Sequence, residues 1–389
     1  MKSITTIIIC FSLLIVFQLF ADDAPFKQGE LIIQVDKRSD MSSFQDKMSS
    51  RGLQPVKLLS KRMNIWLYEY DQEKLTADEA LDKVLQVSDV ILAQFNHYVK
   101  LRQTFPNDPQ FSGQWDKHNT GQTGGTADAD IDGPEAWDFV SGGITTQGDT
   151  IVIAIVDGGN DLNHQDLDFW KNKHEIPGNG VDDDNNGYID DYDGWNAYDS
   201  NGNIPSSSHG THVSGIAGAI GNNNTGVSGV NWGAKIMPVA GSSGTESVVV
   251  EAYGYVLEMR AKYNETNGDS GAFVVATNSS FGVDYGDPAN FPIWCAMYDS
   301  MGAQGVLSCA ATANLNIDID IEGDVPTACP SDWLISVTNT THNDVKNSGA
   351  AYGLTTIDLG SPGTNVLSTL PGNSYGTLTG TSMATPNVA

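Results

Sequence analysis

The stretch I-V-I-A-I-V-D, residues 151–157, decides the fold. A strand with one wet face alternates apolar and polar residues, whereas an unbroken apolar run is buried on both faces, as in a parallel sheet covered by helices. The same pattern returns in K-I-M-P-V (235–239), A-F-V-V-A-T (272–277), G-V-L-S-C-A-A (305–311) and L-I-S-V-T (334–338). Helical or loop segments separate these runs, and V-V-V-E-A-Y-G-Y-V-L-E-M-R-A-K (248–262) is the clearest helix. The expectation is an α/β domain, a doubly wound and mostly parallel sheet with helices on both faces. Ligands of such sheets sit at the carboxyl ends of the strands, where Asp157 falls.

Upstream, residues 26–101 read as a separate small α+β unit. E-L-I-I-Q-V, M-N-I-W-L-Y-E-Y and V-I-L-A-Q-F read as strands. Between them, S-S-F-Q-D-K-M-S-S-R-G reads as a helix closed by Gly52, and L-T-A-D-E-A-L-D-K-V-L-Q-V as a helix with a capping Thr. The Pro-rich T-F-P-N-D-P-Q-F that follows reads as linker. Charge marks the same division. Residues 1–102 carry 13 basic and 13 acidic side chains, and 103–389 carry 7 and 35, so the net charge of −28 lies wholly in the second part. That acidity excludes nucleic-acid binding, which needs a basic face. It fits a solvated surface and divalent-cation sites.

The chain begins with Lys2, then 17 mostly apolar residues, Ile4 to Phe20, then Ala21 before an acidic pair. That is the pattern of a secretory signal peptide cleaved near Ala21, and 17 residues is short for a membrane span. Cys10 lies inside this segment. Of the remaining Cys295, Cys309 and Cys329, Cys309 falls in a buried apolar run. Cys295 with Cys329 is therefore the expected pair in an oxidising compartment.

Three short blocks carry chemistry. Asp157 ends its strand, His209 opens H-G-T-H-V-S-G-I-A-G-A-I (209–220) at a helix start, and Ser382 sits in G-T-S-M-A-T-P (380–386). Each alone would more often be structural. Together they supply a hydroxyl, a base to take its proton and a carboxylate to orient the base.

V-D-G-G, H-G-T-H-V-S-G and G-T-S-M-A-T-P resemble the three signature blocks of the subtilisin-like serine proteases, the secreted bacterial type with a propeptide. The resemblance covers about residues 105–389 as catalytic domain. It implies Asp157, His209 and Ser382 as the triad and makes His212 structural. T-N-S-S-F-G (277–282) matches the substrate-binding strand, placing Ser280, Phe281 and Gly282 along the cleft. A-A-T-A-N (310–314) makes Asn314 the side-chain donor of the oxyanion hole, with Leu315 at the specificity pocket. The sequence departs from the family at Gly158, usually Ser or Thr, at Ala313, usually Gly, and at Asn387, usually His. No acidic floor is evident in the pocket, so an apolar or mixed preference is expected.

The resemblance further implies a signal peptide (1–21), an inhibitory and chaperoning propeptide (22–104) of ferredoxin-like α+β fold, cut near 100–105, and a catalytic domain (105–389). Only Met383 to Ala389 follow the serine, so a sequence truncated at its C-terminus is expected, one unstable or poorly active alone. Expected partners are protein or peptide substrates and the chain's own propeptide as intramolecular inhibitor. Nucleic acid, a membrane after signal cleavage and an organic cofactor are not expected, and the protein should be a secreted monomer. Two alternatives are an inactive homologue acting as a calcium-dependent binding module and a processing protease of narrow specificity.

One stretch points to structural Ca²⁺. In G-V-D-D-D-N-N-G-Y-I-D-D-Y-D-G (180–194), Asp182, Asp184, Asn186, Tyr188 (by its backbone), Asp190 and Asp193 fall at the oxygen-ligand spacing of an EF-hand-type loop, with Gly187 at the sharp turn. Asp166 and Asn223 match positions that form another calcium site in the family.

Overall fold

The computed structural model describes residues 25–99 and 103–389. The expected signal peptide (1–21), with Cys10, and positions 100–102 of the expected cut region lie outside the described residues. The chain divides into two compact units, Met1–Leu101 and Arg102–Ala389.

In the first unit the order is β1 (Phe26–Val35), α1 (Met41–Ser49), β2 (Leu53–Ser60), β3 (Ile65–Tyr70), α2 (Ala77–Leu85) and β4 (Val90–His97). The strands pair antiparallel in the order β2-β3-β1-β4, a ferredoxin-like arrangement. Leu31, Ile33 and Tyr68 of the sheet pack with Phe44 of α1 and Val84 of α2. Asp40 caps α1, and Thr76 and Glu79 form a reciprocal capping box on α2. β2 is the strand without a sequence signal. Pro55 interrupts its pattern and its register slips after Pro55 and again after Leu58, which only a sheet edge tolerates.

The second unit is built on a seven-stranded parallel sheet. Its elements are β5 (Val152–Asp157), β6 (Trp195–Asn196), α3 (Ser208–Gly218), β7 (Lys235–Ala240), α4 (Glu246–Thr266), β8 (Val274–Ser279), α5 (Pro292–Ala303), β9 (Leu307–Ala311), β10 (Leu334–Thr340), β11 (Leu359–Pro362) and α6 (Thr381–Ala384). The strand order is β11-β10-β9-β8-β5-β7-β6. The five apolar runs are the five central strands; the two edges, shorter and more polar, carry no such run. All six residues of β5 are buried. Val152, Ala154 and Val156 face a core with Tyr253, Val256, Trp294 and Tyr298 of α4 and α5. Ile153 and Ile155 face a second core with Val213 and Ile216 of α3 and with Met383.

The chain leaves β5 toward β7 on one side and later returns to β8 on the other. That reversal is a topological switch point, where a doubly wound sheet opens a crevice at its strands' carboxyl ends. A disulfide joins Cys295 on α5 to Cys329, and Cys309 is free and buried in β9. The expected pairing is the one formed.

Candidate active site

Asp157 is the last residue of β5, at the switch point. Its buried carboxylate meets His209 Nδ1 at 2.8 Å through Oδ2 and 3.1 Å through Oδ1. The helix carrying His209 can come this close because its neighbour is glycine. A Cβ on Gly210 would stand 2.0 Å from the Gly159 carbonyl oxygen and 3.1 Å from Asp157 Cβ. Ser207 caps this helix by accepting from Gly210 N, which fixes where His209 begins it. Burial alone would lower the His209 pKa, but the hydrogen bond and charge of Asp157 outweigh it, and the net shift is upward. His212, one turn on, is fully buried with Nε2 on the Gly376 carbonyl, and burial pushes it down to about 4. It is a neutral packing residue.

Ser382 is the second residue of α6 and is 8% exposed. Its Oγ donates to the Ser280 carbonyl (3.3 Å), and Ser280 Oγ donates back to the Ser382 carbonyl (3.0 Å). The nucleophile candidate is thus stitched to the strand that the sequence assigns to substrate. Asn314 Oδ1 accepts from Thr381 N (2.9 Å) and Thr381 Oγ1 (3.2 Å). This orients the side-chain amide, directing its Nδ2 donors away from Thr381.

Ser280, Phe281, Gly282, Asn314 and Ser382 line one cleft of ≈ 70 Å³. Gly282 is required there, since a Cβ would lie 2.4 Å from the Val325 carbonyl oxygen. Leu315 is placed elsewhere. It packs on a satellite cluster of Ala313, Ile319 and Ala351 and is not among the cleft's lining residues. The sequence missed Asp324, which does line the cleft. It lies ten positions past Asn314 in a stretch that reads as a loop, and only the fold brings it back.

The three family departures have structural settings. A Cβ on Gly158 would meet Ser207 Oγ at 3.3 Å, tight but not blocked. Ala313 donates its N–H to Asp324 Oδ2 (3.1 Å). Asn387 Oδ1 accepts from Lys117 Nζ, a fully buried ammonium that also pairs with Asp116 at 2.8 Å. An oxygen acceptor at 387 is what this lysine needs.

The acidic loop folds differently from its spacing. Carboxylate oxygens of Glu175, Asp182 and Asp184 lie within 4.8 Å of one another. Asp184 Oδ1 is buried without a hydrogen bond, although Lys262 Nζ stands 3.2 Å away. Three convergent carboxylates fit a hard cation, with the Lys262 ammonium at their edge. The other expected ligands do not join that trio. Asp193 pairs with Lys171, Asp190 accepts from Asn179 N and Gly180 N, and Asn186 bonds Asp191 through Nδ2 and Tyr188 N through Oδ1. Glu175, outside the motif, accepts the N–H groups of Asp183, Asp184 and Asp190. Separately, Asp166 accepts from Asn223 Nδ2 (2.7 Å) and Val227 N (3.0 Å), so those two residues do meet.

A buried carboxylate on an imidazole at the switch point of a parallel α/β sheet, with a serine on a separate short helix that bonds the neighbouring cleft strand, defines the class: a fold whose site carries the groups of a serine hydrolase. The sequence profile of the subtilase family matches residues 148–389, and the chain belongs to that family. Thermitase of Thermoactinomyces vulgaris is 31% identical over 295 residues, covering 73% of this chain and 82% of that protein. Subtilisin-like protease 1 of Plasmodium falciparum is 33% identical over 263 residues, covering 61% and 36%. The extracellular protease of Xanthomonas campestris pv. campestris is 32% identical over 313 residues, covering 73% and 48%. The chain thus spans less than half of the last two. A solved protease structure from Pseudoalteromonas arctica shares the fold, with TM-score 0.52 and 24% identity over 74% of this chain and 85% of that one.

Proposed function

We propose that this chain is a secreted serine endopeptidase that hydrolyses peptide bonds through Asp157, His209 and Ser382. The observation that carries the reading is the 2.8 Å contact of His209 Nδ1 with a buried Asp157 carboxylate. Asp157 holds the imidazole in the tautomer whose Nε2 is free to accept a proton. His209 takes the Ser382 Oγ proton as the oxygen attacks the substrate carbonyl carbon. The carbonyl oxygen becomes an oxyanion, stabilised by the Asn314 amide and the Ser382 backbone N–H. The imidazolium then protonates the leaving amine, the C–N bond breaks, and an acyl-enzyme remains. Water, deprotonated by His209, attacks the ester and releases the acid, restoring Ser382.

The first unit acts as an inhibitory propeptide in this reading, supported by its position ahead of the catalytic unit and its own complete core. Secretion is supported by the leader pattern at residues 1–21 and by a relative named as an extracellular protease. Ca²⁺ is proposed as a structural ion held by Glu175, Asp182 and Asp184, where it would offset their mutual repulsion.

A fluorophosphonate probe tests the catalytic reading. Covalent labelling of wild type but not of Ser382→Ala, with parallel loss of peptide hydrolysis, is expected. Equal labelling of both proteins would defeat it.

A further inference from the structure

The cleft beside Ser382 holds two carboxylates that the reaction does not use. Asp284 and Asp324 both line it, and no Lys or Arg does. They come from a two-stranded antiparallel ribbon, Val283–Asp284 with Asp324–Val325, in which Asp284 and Asp324 are direct partners. Directly opposed residues share a face, and like charges so placed destabilise a ribbon. Neither carboxylate has an ion pair among the described residues, and Asp284 is exposed to water.

Asp324 is the more informative of the two. It is 1% exposed. Thr312 Oγ1 and Ala313 N (both 3.1 Å) and Thr327 Oγ1 all donate to its Oδ2. Oδ1 takes no hydrogen bond from the described residues. Since Thr312 and Ala313 themselves line the cleft, the carboxylate stands at its wall. Burial pushes its pKa up to about 6, so at pH 8 it is still ionised. Oδ1 is not among the fully buried polar atoms, so the free oxygen of this carboxylate opens on the cleft, where a cation can pair with it.

The position decides which cation. The acyl carbon under attack lies between Ser382 Oγ and the Asn314 amide. The residue supplying that carbonyl therefore has the side chain nearest this cleft.

Resting on the endopeptidase reading above, we infer that Asp324, assisted by Asp284, selects substrates with Lys or Arg as the residue before the scissile bond. The ammonium or guanidinium pairs with Asp324 Oδ1 and separates the two carboxylates. This replaces the apolar or mixed preference expected from the sequence, which showed no acid there.

The test uses the full chain and internally quenched peptides that differ only in the residue before the cut, Lys, Arg, Leu, Phe or Glu. Lys and Arg peptides should exceed Leu by about 10- to 100-fold in kcat/KM, the worth of one charge-assisted hydrogen bond. Asp324→Asn keeps the acceptor for Thr312, Ala313 and Thr327 but removes the charge. It should bring that ratio toward one. Asp284→Asn should narrow the ratio less. An equal fall for every peptide in Asp324→Asn makes the residue a mere positioning group and overturns the inference. Should that variant not fold, the wild-type protein decides through inhibition by peptide aldehydes, argininal against leucinal. Stronger inhibition by leucinal, or faster Leu cleavage, sinks the inference yet leaves the peptidase intact. Hydrolysis of no peptide removes both readings.

Discussion

Asp157 Oδ2 lies 2.8 Å from His209 Nδ1, joining the last residue of β5 to the first turn of α3 across the switch point of the sheet. The contact raises the imidazole pKa above its ordinary 6.5. A general base works only when neutral, so kcat/KM should rise with pH through an apparent pKa above 6.5. Asp157→Asn removes the raising influence and the tautomer control together. Its limb should move to lower pH and its kcat fall by about 10⁴. A pH–rate profile of both proteins checks this, and an unmoved limb would contradict the pairing.

The oxyanion site gives a second expectation. Asn314 is held through Oδ1 by Thr381, from both its N–H and its hydroxyl. Asn314→Ala should lower kcat by about 10²–10³ with little change in KM, a magnitude that comes from subtilisin itself. Thr381→Val keeps the backbone donor and should lose less. A fall confined to KM would mean that Asn314 binds substrate without stabilising the oxyanion.

For the cation the structure and the spacing make different forecasts. Chelation should lower the melting temperature, because an ion bound only by the folded state stabilises it. Glu175→Gln or Asp184→Asn should shrink that shift. Asp193→Asn should not, since Asp193 is already paired with Lys171. Calorimetry with and without chelator, across the three variants, separates the cluster from the EF-hand spacing.

Most of this scaffold was legible because its determinants are local. Strands buried on both faces show as apolar runs, so β5 and β7 to β10 stood out, and Asp157, His209 and Ser382 sit at the ends of elements with their own signals. What escaped depends on tertiary approach. β2 is an edge strand broken by Pro55, Glu175 reaches the acidic loop from outside its motif, and Leu315 turned toward Ile319 and Ala351 instead of the cleft. Asp324 becomes a cleft residue only because its ribbon folds back over Thr312 and Ala313. No spacing rule encodes that return.

Lys117 offers a stability test away from the chemistry. Its ammonium is fully buried between Asp116 and Asn387, and Asp116 Oδ1 has no partner of its own. Lys117→Met strands a buried carboxylate and should cost about 3–5 kcal/mol. Adding Asp116→Asn removes that charge and should recover part of the loss. Urea unfolding of the single and double variants checks this. A neutral single variant would mean that the pair is dispensable.

The pH dependence of selectivity is the sharpest test of Asp324, because it isolates one carboxylate. As pH falls below about 6, Asp324 takes up a proton and loses the charge that favours Lys or Arg. Protonation of His209 also slows the enzyme, but it slows every peptide alike, so it cancels in a ratio. The ratio of kcat/KM for Lys over Leu peptides should therefore be flat above pH 7 and fall as pH drops through about 6. Asp284 faces the same cavity from the opposite strand, so the measurement is repeated in Asp284→Asn to keep the two apart. In Asp324→Asn the ratio should be low and independent of pH. A ratio that stays constant from pH 5 to 8 in the wild type would show that the buried carboxylate holds Thr312 and Ala313 in place without reading the substrate.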